Sequence, residues 1–415
     1  MRGSLVSDGP TTYQASSGLG NTDYNLRVGP IRFLAETTVG FEYIDNINYS
    51  EVNRTGDALV RLALNVRSLW NLTSLNTLQF DLGVGFIRYF NNPDATAGNV
   101  FITPGSQLAF NIYVGDNVRI NVHDAFDIRQ DPVDNGQLSN VTNFGRFTNT
   151  AGVTVIGEFS PLTLTAGYDH FNYTSLAGRF DYLDRTSESF LASAVFQVQP
   201  RLFLGVEGNY SLYDYAENAV SGNFLSQQGV SVSSAGFGQG LNDGDGGSAG
   251  GYLDWTLSPA FRLIARGGYQ FASFDNGGFF SDAFGDESNL STYYWNVTLN
   301  NRVNAYFTHS LAGGRETDLG LTSNYLEVNY VRYNAAWRAT NALTVAGDAF
   351  YENDQESGGL FNEGFQRYGG DVSLGIQFNM HLSAALHYGY IRKESEVNNR
   401  SYYQNRVGVD VGYRF

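Results

Sequence analysis

Apolar residues recur at every second position along most of this chain, and that period decides what it can fold into. The closing segment RVGVDVGYRF shows it: Val407, Val409, Val411, Tyr413 and Phe415 alternate with Arg406, Gly408, Asp410, Gly412 and Arg414. In LVRLALNVR, Val60, Leu62, Leu64 and Val66 alternate with Arg61, Ala63, Asn65 and Arg67, and AFRLIARGGYQF and VSLGIQF behave alike. Successive side chains of a strand point to opposite faces, whereas a helix repeats every ~3.6 residues, so this period is a strand signal. Strands are expected at 31–47, 58–73, 77–92, 107–114, 118–131, 149–159, 162–175, 188–199, 202–217, 248–258, 261–276, 290–301, 304–320, 324–339, 342–357, 365–379, 382–397 and 402–415. No convincing amphipathic helix separates them.

The connections alternate between tight and long. TSLN (73–76), GDN (115–117), SPL (160–162), QPR (199–201), SPA (258–260), NNRVN (300–304), ATNA (339–342) and NMH (379–381) are tight. Between them lie longer polar loops, the longest at 218–247. An open meander of this many strands would expose its edges, and closure removes them. Short turns at one end and long loops at the other are the organisation of a transmembrane barrel. A soluble β-sandwich also alternates, but it would bury its large aromatics and carry more charge outside. Here the polar face is rich in Gly, Ser, Asn and isolated charges, as a water-filled lumen would be.

The expected fold class is therefore all-β: a closed antiparallel transmembrane β-barrel of about eighteen strands. The count becomes sixteen or twenty if the weak segments 107–114 or 248–258 are misread. Residues 31–415 form the barrel. Residues 1–30 form an N-terminal periplasmic extension whose first four residues read as an added leader. Both termini fall on the short-turn, periplasmic side.

Composition narrows the function classes. The net charge of −16 argues against a nucleic-acid partner, which needs a basic face. No cysteine is present, so thiolate metal sites, thiol nucleophiles and disulfides are excluded. Among the 25 basic residues only Lys393 is a lysine. Arginine suits bidentate and partly buried contacts, although genome composition explains the bias equally well. No apolar run approaches the ~18 residues of a membrane helix, a test to which barrel strands are blind.

Five hairpins start at a tight turn and reach a tyrosine several residues later: Tyr168, Tyr210, Tyr269, Tyr351 and Tyr390. Their shared height and outward parity fit an upper aromatic girdle, the plainer account being that tyrosine is a good strand former. By the same parity Arg61, Arg67, Arg119, Asp127, Glu207, Arg262, Arg266, Asp348, Asp371, Arg406 and Asp410 face the lumen, with Arg32, Glu36 and Asp81. Both signs occur, as in a pore that screens solutes by charge; salt bridges stiffening the wall are the plainer reading. Asp282, Asp286 and Glu287, and Glu352, Asp354, Glu356 and Glu363, lie in or beside loops. They are candidate Ca2+ ligands, or simply a solvated acidic surface.

No catalytic constellation emerges. GGSAG (246–250) fits the nucleophile-elbow pattern but joins a loop to a strand, not a strand to a helix. NDGDGG (242–247) lacks the distal glutamate of a calcium loop. The histidines at 123, 170, 309, 381 and 387 have no metal-ligand spacing, and His309 and Ser310, being adjacent, point to opposite faces. No metal and no other cofactor is expected.

The closing residues Val407, Val409, Val411, Tyr413 and Phe415 resemble the carboxyl-terminal assembly signal of bacterial outer-membrane proteins. FLAETTVGFEYIDNINYSE with its Asp45-Asn46 pair, NAYFTHSLAGGRET (304–317) and YLEVNYVRYNAAWR (325–338) resemble the type-two β-barrel porin family of exopolysaccharide clusters. These resemblances imply a Gram-negative outer-membrane channel, handled by the barrel-assembly machinery and surrounded by lipid and lipopolysaccharide. A homo-trimer is the usual assembly for such porins, though no stretch marks an interface. The expected function is passive diffusion of small hydrophilic solutes, not enzymatic. The alternative is a non-conducting barrel acting as scaffold or export conduit for a polysaccharide or partner protein, decided by whether 1–30 or 218–247 fills the lumen. A membrane-embedded hydrolase ranks last.

Overall fold

The computed structural model of the chain describes residues 24–133, 135–221, 225 and 239–415. Its strands are β1 (Leu26–Val28), β2 (Ile31–Ile44), β3 (Asp57–Asn71), β4 (Thr77–Tyr89), β5 (Val100–Val114), β6 (Val118–Arg129), β7 (Arg146–Phe159), β8 (Leu162–Ser175), β9 (Arg185–Gln199) and β10 (Leu202–Tyr215). They continue as β11 (Gly244–Ser258), β12 (Phe261–Phe274), β13 (Asn289–Arg302), β14 (Phe307–Leu319), β15 (Tyr325–Arg338), β16 (Leu343–Glu356), β17 (Gly364–Gln377), β18 (Leu382–Ser395) and β19 (Tyr402–Arg414). All belong to one nineteen-stranded antiparallel sheet. β1 pairs with β2, and removing it leaves eighteen strands in a ring. The ring closes where β19 pairs with β2, from Arg406↔Ile44 to Arg414↔Glu36. A closed ring satisfies every backbone group along its seams and has no edge to expose.

Four strands begin clearly earlier than their alternation suggests, β7 and β9 by three residues each and β5 and β11 by more. β5 starts at Val100, not near 107, because the chain passes Pro104-Gly105 as a bulge rather than ending there. The register slips between Ile102 and Ser106, and Gly105 takes a φ of +93°, which only glycine adopts freely. The Ser106 hydroxyl accepts the Gly83 N–H at 3.0 Å, replacing a ladder bond lost to the bulge. β11 starts at Gly244, inside the segment read as the end of a loop. Glycines carry no side chain to alternate, so their pairing with β10 and β12 left no mark on the pattern. The long loop therefore runs 216–243, and GGSAG lies wholly within a strand.

The short turns are held by side chains mimicking backbone. Asn304 accepts the N–H groups of Tyr306 and Phe307, both at 2.8 Å, and Asn379 those of His381 and Leu382 at 2.8 and 2.9 Å. Thr73 and Thr340 cap their turns similarly. With these turns and the chain's end on one side, every long loop falls at the opposite end.

The alternation sorts the wall into two faces. Val407, Val409, Val411, Tyr413 and Phe415 are 43–57% exposed on the outside. So are Leu62, Leu64, Val206, Tyr293 and Val372, and the belt continues around the barrel. A soluble protein rarely tolerates so broad an exposed apolar surface. The buried side chains gather instead inside the long-loop end. There Leu138, Val141, Phe144, Phe180, Tyr182, Leu183, Leu241 and Phe280 pack together with the upper ends of the wall.

Candidate functional site in the barrel lumen

Two open volumes occupy the interior. A central cavity of about 1410 Å³ is bordered by inward residues of nearly every strand, and a recess of about 610 Å³ lies at the short-turn end. The eleven charged residues expected on the pore wall all take inward positions in the ladder, but most are not free. Arg61 pairs with Glu42 at 3.3 Å, and Arg262 with Asp254 at 2.5 Å. Asp127 holds Arg129 at 3.0 Å, Glu207 lies 3.8 Å from Arg266, and Asp410 is 3.2 Å from His387. Arg67 stands opposite Asp81, and Arg119 opposite Ile156. Asp348 and Asp371 stand directly opposite one another.

Glycines make room for several of these acids. A Cβ at Gly40 would collide with the Asp410 carboxylate, one at Gly152 with Asp169, and one at Gly389 with Asp371. Lumen aspartates thus lie flat along the wall over a bare neighbouring strand. This gives the scattered inward glycines a role that alternation alone did not reveal.

The dominant element was not singled out in the sequence. The loop between β6 and β7, described at 130–133 and 135–145, crosses the lumen and fastens to the far wall. At its foot Asp131 receives Arg406 at 2.7 Å and the Tyr49 hydroxyl at 2.5 Å. Burial alone would push the Asp131 carboxyl up. The Arg406 guanidinium and the hydrogen bonds it shares with Tyr49 outweigh that and hold it at about 2. Midway, the Val133 carbonyl accepts Arg367 at 3.0 Å. At the tip the Gln137 amide donates to Glu356 at 2.8 Å, its side-chain oxygen accepts the Leu321 N–H at 3.0 Å, and the Ser139 hydroxyl donates to the Arg400 carbonyl at 2.7 Å. The segment's apolar residues Leu138, Val141 and Phe144, spaced three apart, join the packed cluster. Apolar side chains recurring in a loop otherwise built of turn residues were the available signal.

The acidic residues expected on a solvated loop surface are placed differently. β16 runs to Glu356, so Glu352, Asp354 and Glu356 fall on its inward face, and all three are buried, as is Glu363. Glu352 lies 3.1 Å from Arg332 and 3.5 Å from Arg367. Glu363 binds Lys393 at 2.7 Å and Arg400 at 2.9 Å. Burial raises the Glu363 carboxyl, and these two cations bring it below its ordinary range. Asp286 is turned inward as well, accepting the Asn324 N–H and the Ser357 hydroxyl, each at 2.6 Å. Among the described residues no group of three or more His, Asp or Glu is arranged to hold a metal ion.

Of loop 216–243, the described Val220, Leu225 and Leu241 are fully buried in the packed cluster. Residues 1–23, 222–224 and 226–238 lie outside the described residues. Ser248, the serine of GGSAG, hydrogen-bonds Asn209 from an inward strand position. His309 stacks on Phe307 and leans at a tilt against Tyr333, while Ser310 lines the recess. On the outer wall Tyr168, Tyr210, Tyr269 and Tyr351 are exposed, and Tyr390 shares their outward parity. The Tyr168 hydroxyl meets Glu188, and that of Tyr210 meets Asp245 at 3.1 Å.

No known family pattern matches the chain, and no curated protein matches it. Solved structures do. The barrel is similar to OccK1 (OpdK) of Pseudomonas aeruginosa, at 12% identity and a TM-score of 0.50, over 92% of this chain and 99% of that one. It is also similar to OccK2 (OpdF) of the same organism, solved with glucuronate, at 12% identity and a TM-score of 0.49, over 92% of this chain and 98% of that one. A BenF-like porin of Pseudomonas fluorescens Pf-5 follows at 9% identity and a TM-score of 0.49, over 92% and 99%. At such identities the likeness to OccK1 speaks for a closed barrel of this size.

Proposed function

We propose that this barrel is an outer-membrane channel for passive diffusion of small hydrophilic solutes. The observation that carries it is the closed eighteen-stranded ring, apolar outside, around a polar cavity of about 1410 Å³. Barrels of ~8 strands are filled by their own side chains, whereas those of ~16–18 have room for an aqueous path. The exposed belt needs lipid around it, and the terminal strand resembles the assembly signal of Gram-negative outer-membrane proteins. Both point to that membrane, with the short turns and termini inside and lipopolysaccharide about the loop end. The finer resemblance to the type-two porins of exopolysaccharide clusters is part of this reading.

The packed loops favour a narrow channel over a wide pore, since the strap 130–145 and the apolar cluster divide the cavity from the loop-end exterior. Planar-bilayer recording tests the proposal. Discrete current steps, smaller than an unobstructed barrel of this size would pass, are expected. Full-length barrel that inserts yet never conducts would favour the scaffold reading instead.

A further inference from the structure

One row of directly opposed inward residues links the recess to the central cavity. Arg262 of β12 stands opposite Asn300, Asn300 opposite Ser310, Ser310 opposite Asn334, Asn334 opposite Asp348, and Asp348 opposite Asp371. Strands of a barrel are tilted, so a row perpendicular to them climbs as it goes round. It starts at the second residue of β12, beside the short turns, and reaches β17 at Asp371, six residues in from Gln377. Asn334, Asp348 and Asp371 border both the recess and the central cavity. A solute passing between the two volumes must therefore pass these three side chains.

The top of the row differs from the rest of the wall. Glu42, Asp127, Asp169, Asp254, Glu352 and Asp410 each have an arginine or histidine partner. Asp348 and Asp371 oppose one another, and no cationic side chain among the described residues pairs with either. Like charges directly opposite on a ladder are unfavourable, yet the wall is shaped to keep them. Asp348 accepts the backbone N–H of Asp371, and the absent side chain at Gly389 leaves space for the Asp371 carboxylate. Arg406 is committed to Asp131 and His387 to Asp410. Of the two arginines that line the recess, Arg262 is held by Asp254, while Arg302 stands at its short-turn end, away from the pair along the tilted row. Below the pair, Asn334, Ser310 and Asn300 offer amide and hydroxyl groups, and no aromatic side chain interrupts the row.

We propose that the recess is a solute subsite for small organic cations, and that Asp348 and Asp371 receive an ammonium group while Asn334, Ser310 and Asn300 hydrogen-bond its polar remainder. This rests on the channel reading, and it makes cation over anion preference a property of two named side chains. Low-dielectric walls focus the field of the pair into the passage, so its effect exceeds that of the same charges on a surface.

The test uses the full chain and the Asp348→Asn/Asp371→Asn variant, with folding checked by heat-modifiable gel mobility. In bilayers under a KCl gradient, the wild type should favour K+ over Cl− by about fivefold, falling to within about twofold of unity in the variant. Millimolar glucosamine should interrupt the wild-type current, whereas N-acetylglucosamine, which lacks the cation, should not. Calorimetry on detergent-solubilised barrel should show glucosamine binding at least about tenfold weaker in the variant, a readout independent of conduction. Absence of cation preference, equal blockade by both sugars, or blockade by Ca2+ alone would overturn the subsite. If no current flows in any salt, the channel reading fails by itself. Calorimetry then decides the subsite: binding lost in the variant supports it, and no binding in the wild type ends it.

Discussion

On the same strands, inward residues near the short turns and near the long loops meet opposite surroundings. Arg262, Asn300, Ser310 and Asn334 face the open recess. Phe274 and Leu290, nearer the long loops on β12 and β13, are buried against side chains that the loops carry inward. The ladder geometry is common to both regions, so strand alternation decides only which way a residue points. What it then meets depends on whether a loop folds in. The open half is governed by wall charges, and the packed half by buried ion pairs and apolar contact, and the two should respond differently to mutation.

The largest effect is expected from emptying the packed half. Replacing 131–144 with a short Gly-Ser link between β6 and β7 leaves the eighteen-stranded ring intact and removes the strap. Single-channel conductance should rise by on the order of threefold or more, as expected when an obstruction leaves a barrel of this circumference. Unchanged conductance in a correctly folded variant would mean that the restriction lies elsewhere, and the contrast between the halves would lose its functional meaning.

Next comes the ionic core of that half. Glu363→Met leaves Lys393 and Arg400, both buried, without the anion they share. Removing one partner from a buried ionic group costs about 3–5 kcal/mol. Hydrogen exchange at the amides of residues 137–140 should speed up accordingly, while amides of the lower strands stay protected. A change under about 1 kcal/mol would indicate that the cluster is effectively solvated and the strap loosely held.

The outer face offers a control on both. Val409→Arg places a charge on the apolar belt, where a cation at mid-membrane costs about 2–4 kcal/mol. Its neighbour Asp410 points inward to His387, and Asp410→Asn should cost far less. Folding equilibria in lipid vesicles measure both. Similar costs at 409 and 410 would contradict the assignment of faces.

Legibility followed the same division. Every strand of the ring left a period-two trace, because lipid on one side and water or packing on the other force alternation. Boundaries slipped furthest where that forcing is silent: at Pro104-Gly105, where a bulge absorbs the irregularity, and at Gly244–Gly247, where only Asp245 carries a side chain. The inward direction of Arg61, Asp127 and Asp348 could be read from parity. Their partners could not, since Arg406 meets Asp131 across 275 residues of chain. The strap was hidden for the same reason. A segment of turn residues with three spaced apolar side chains looks like any surface loop until the wall it crosses to is known, and the same distance misplaced Glu352, Asp354, Glu356 and Glu363.

The smallest effect tests how firmly the strap's foot is closed. Asp131 faces Arg406 and the Tyr49 hydroxyl, accepts the Val133 N–H at 2.9 Å, and has Glu42 beyond Arg406 at 3.8 Å. Its side chain is still 34% exposed, so the pair is discounted toward surface values and is worth about 1 kcal/mol or less. Because its carboxyl is held at about 2, below the unfolded value of ~3.9, the contribution is fully present above that unfolded value. It fades as pH falls through about 2. Channel open time should therefore stay flat from neutral pH to about pH 5 and lengthen only in stronger acid. Glu363, whose carboxyl is also lowered by Lys393 and Arg400, shifts in the same sense at the strap's tip. Asp131→Asn should lengthen open times about two- to fivefold at neutral pH, the change that ~0.5–1 kcal/mol makes in an equilibrium, and should weaken the acid response. An open time that rises already between pH 7 and 5 would show that a group other than these two carboxylates governs the foot.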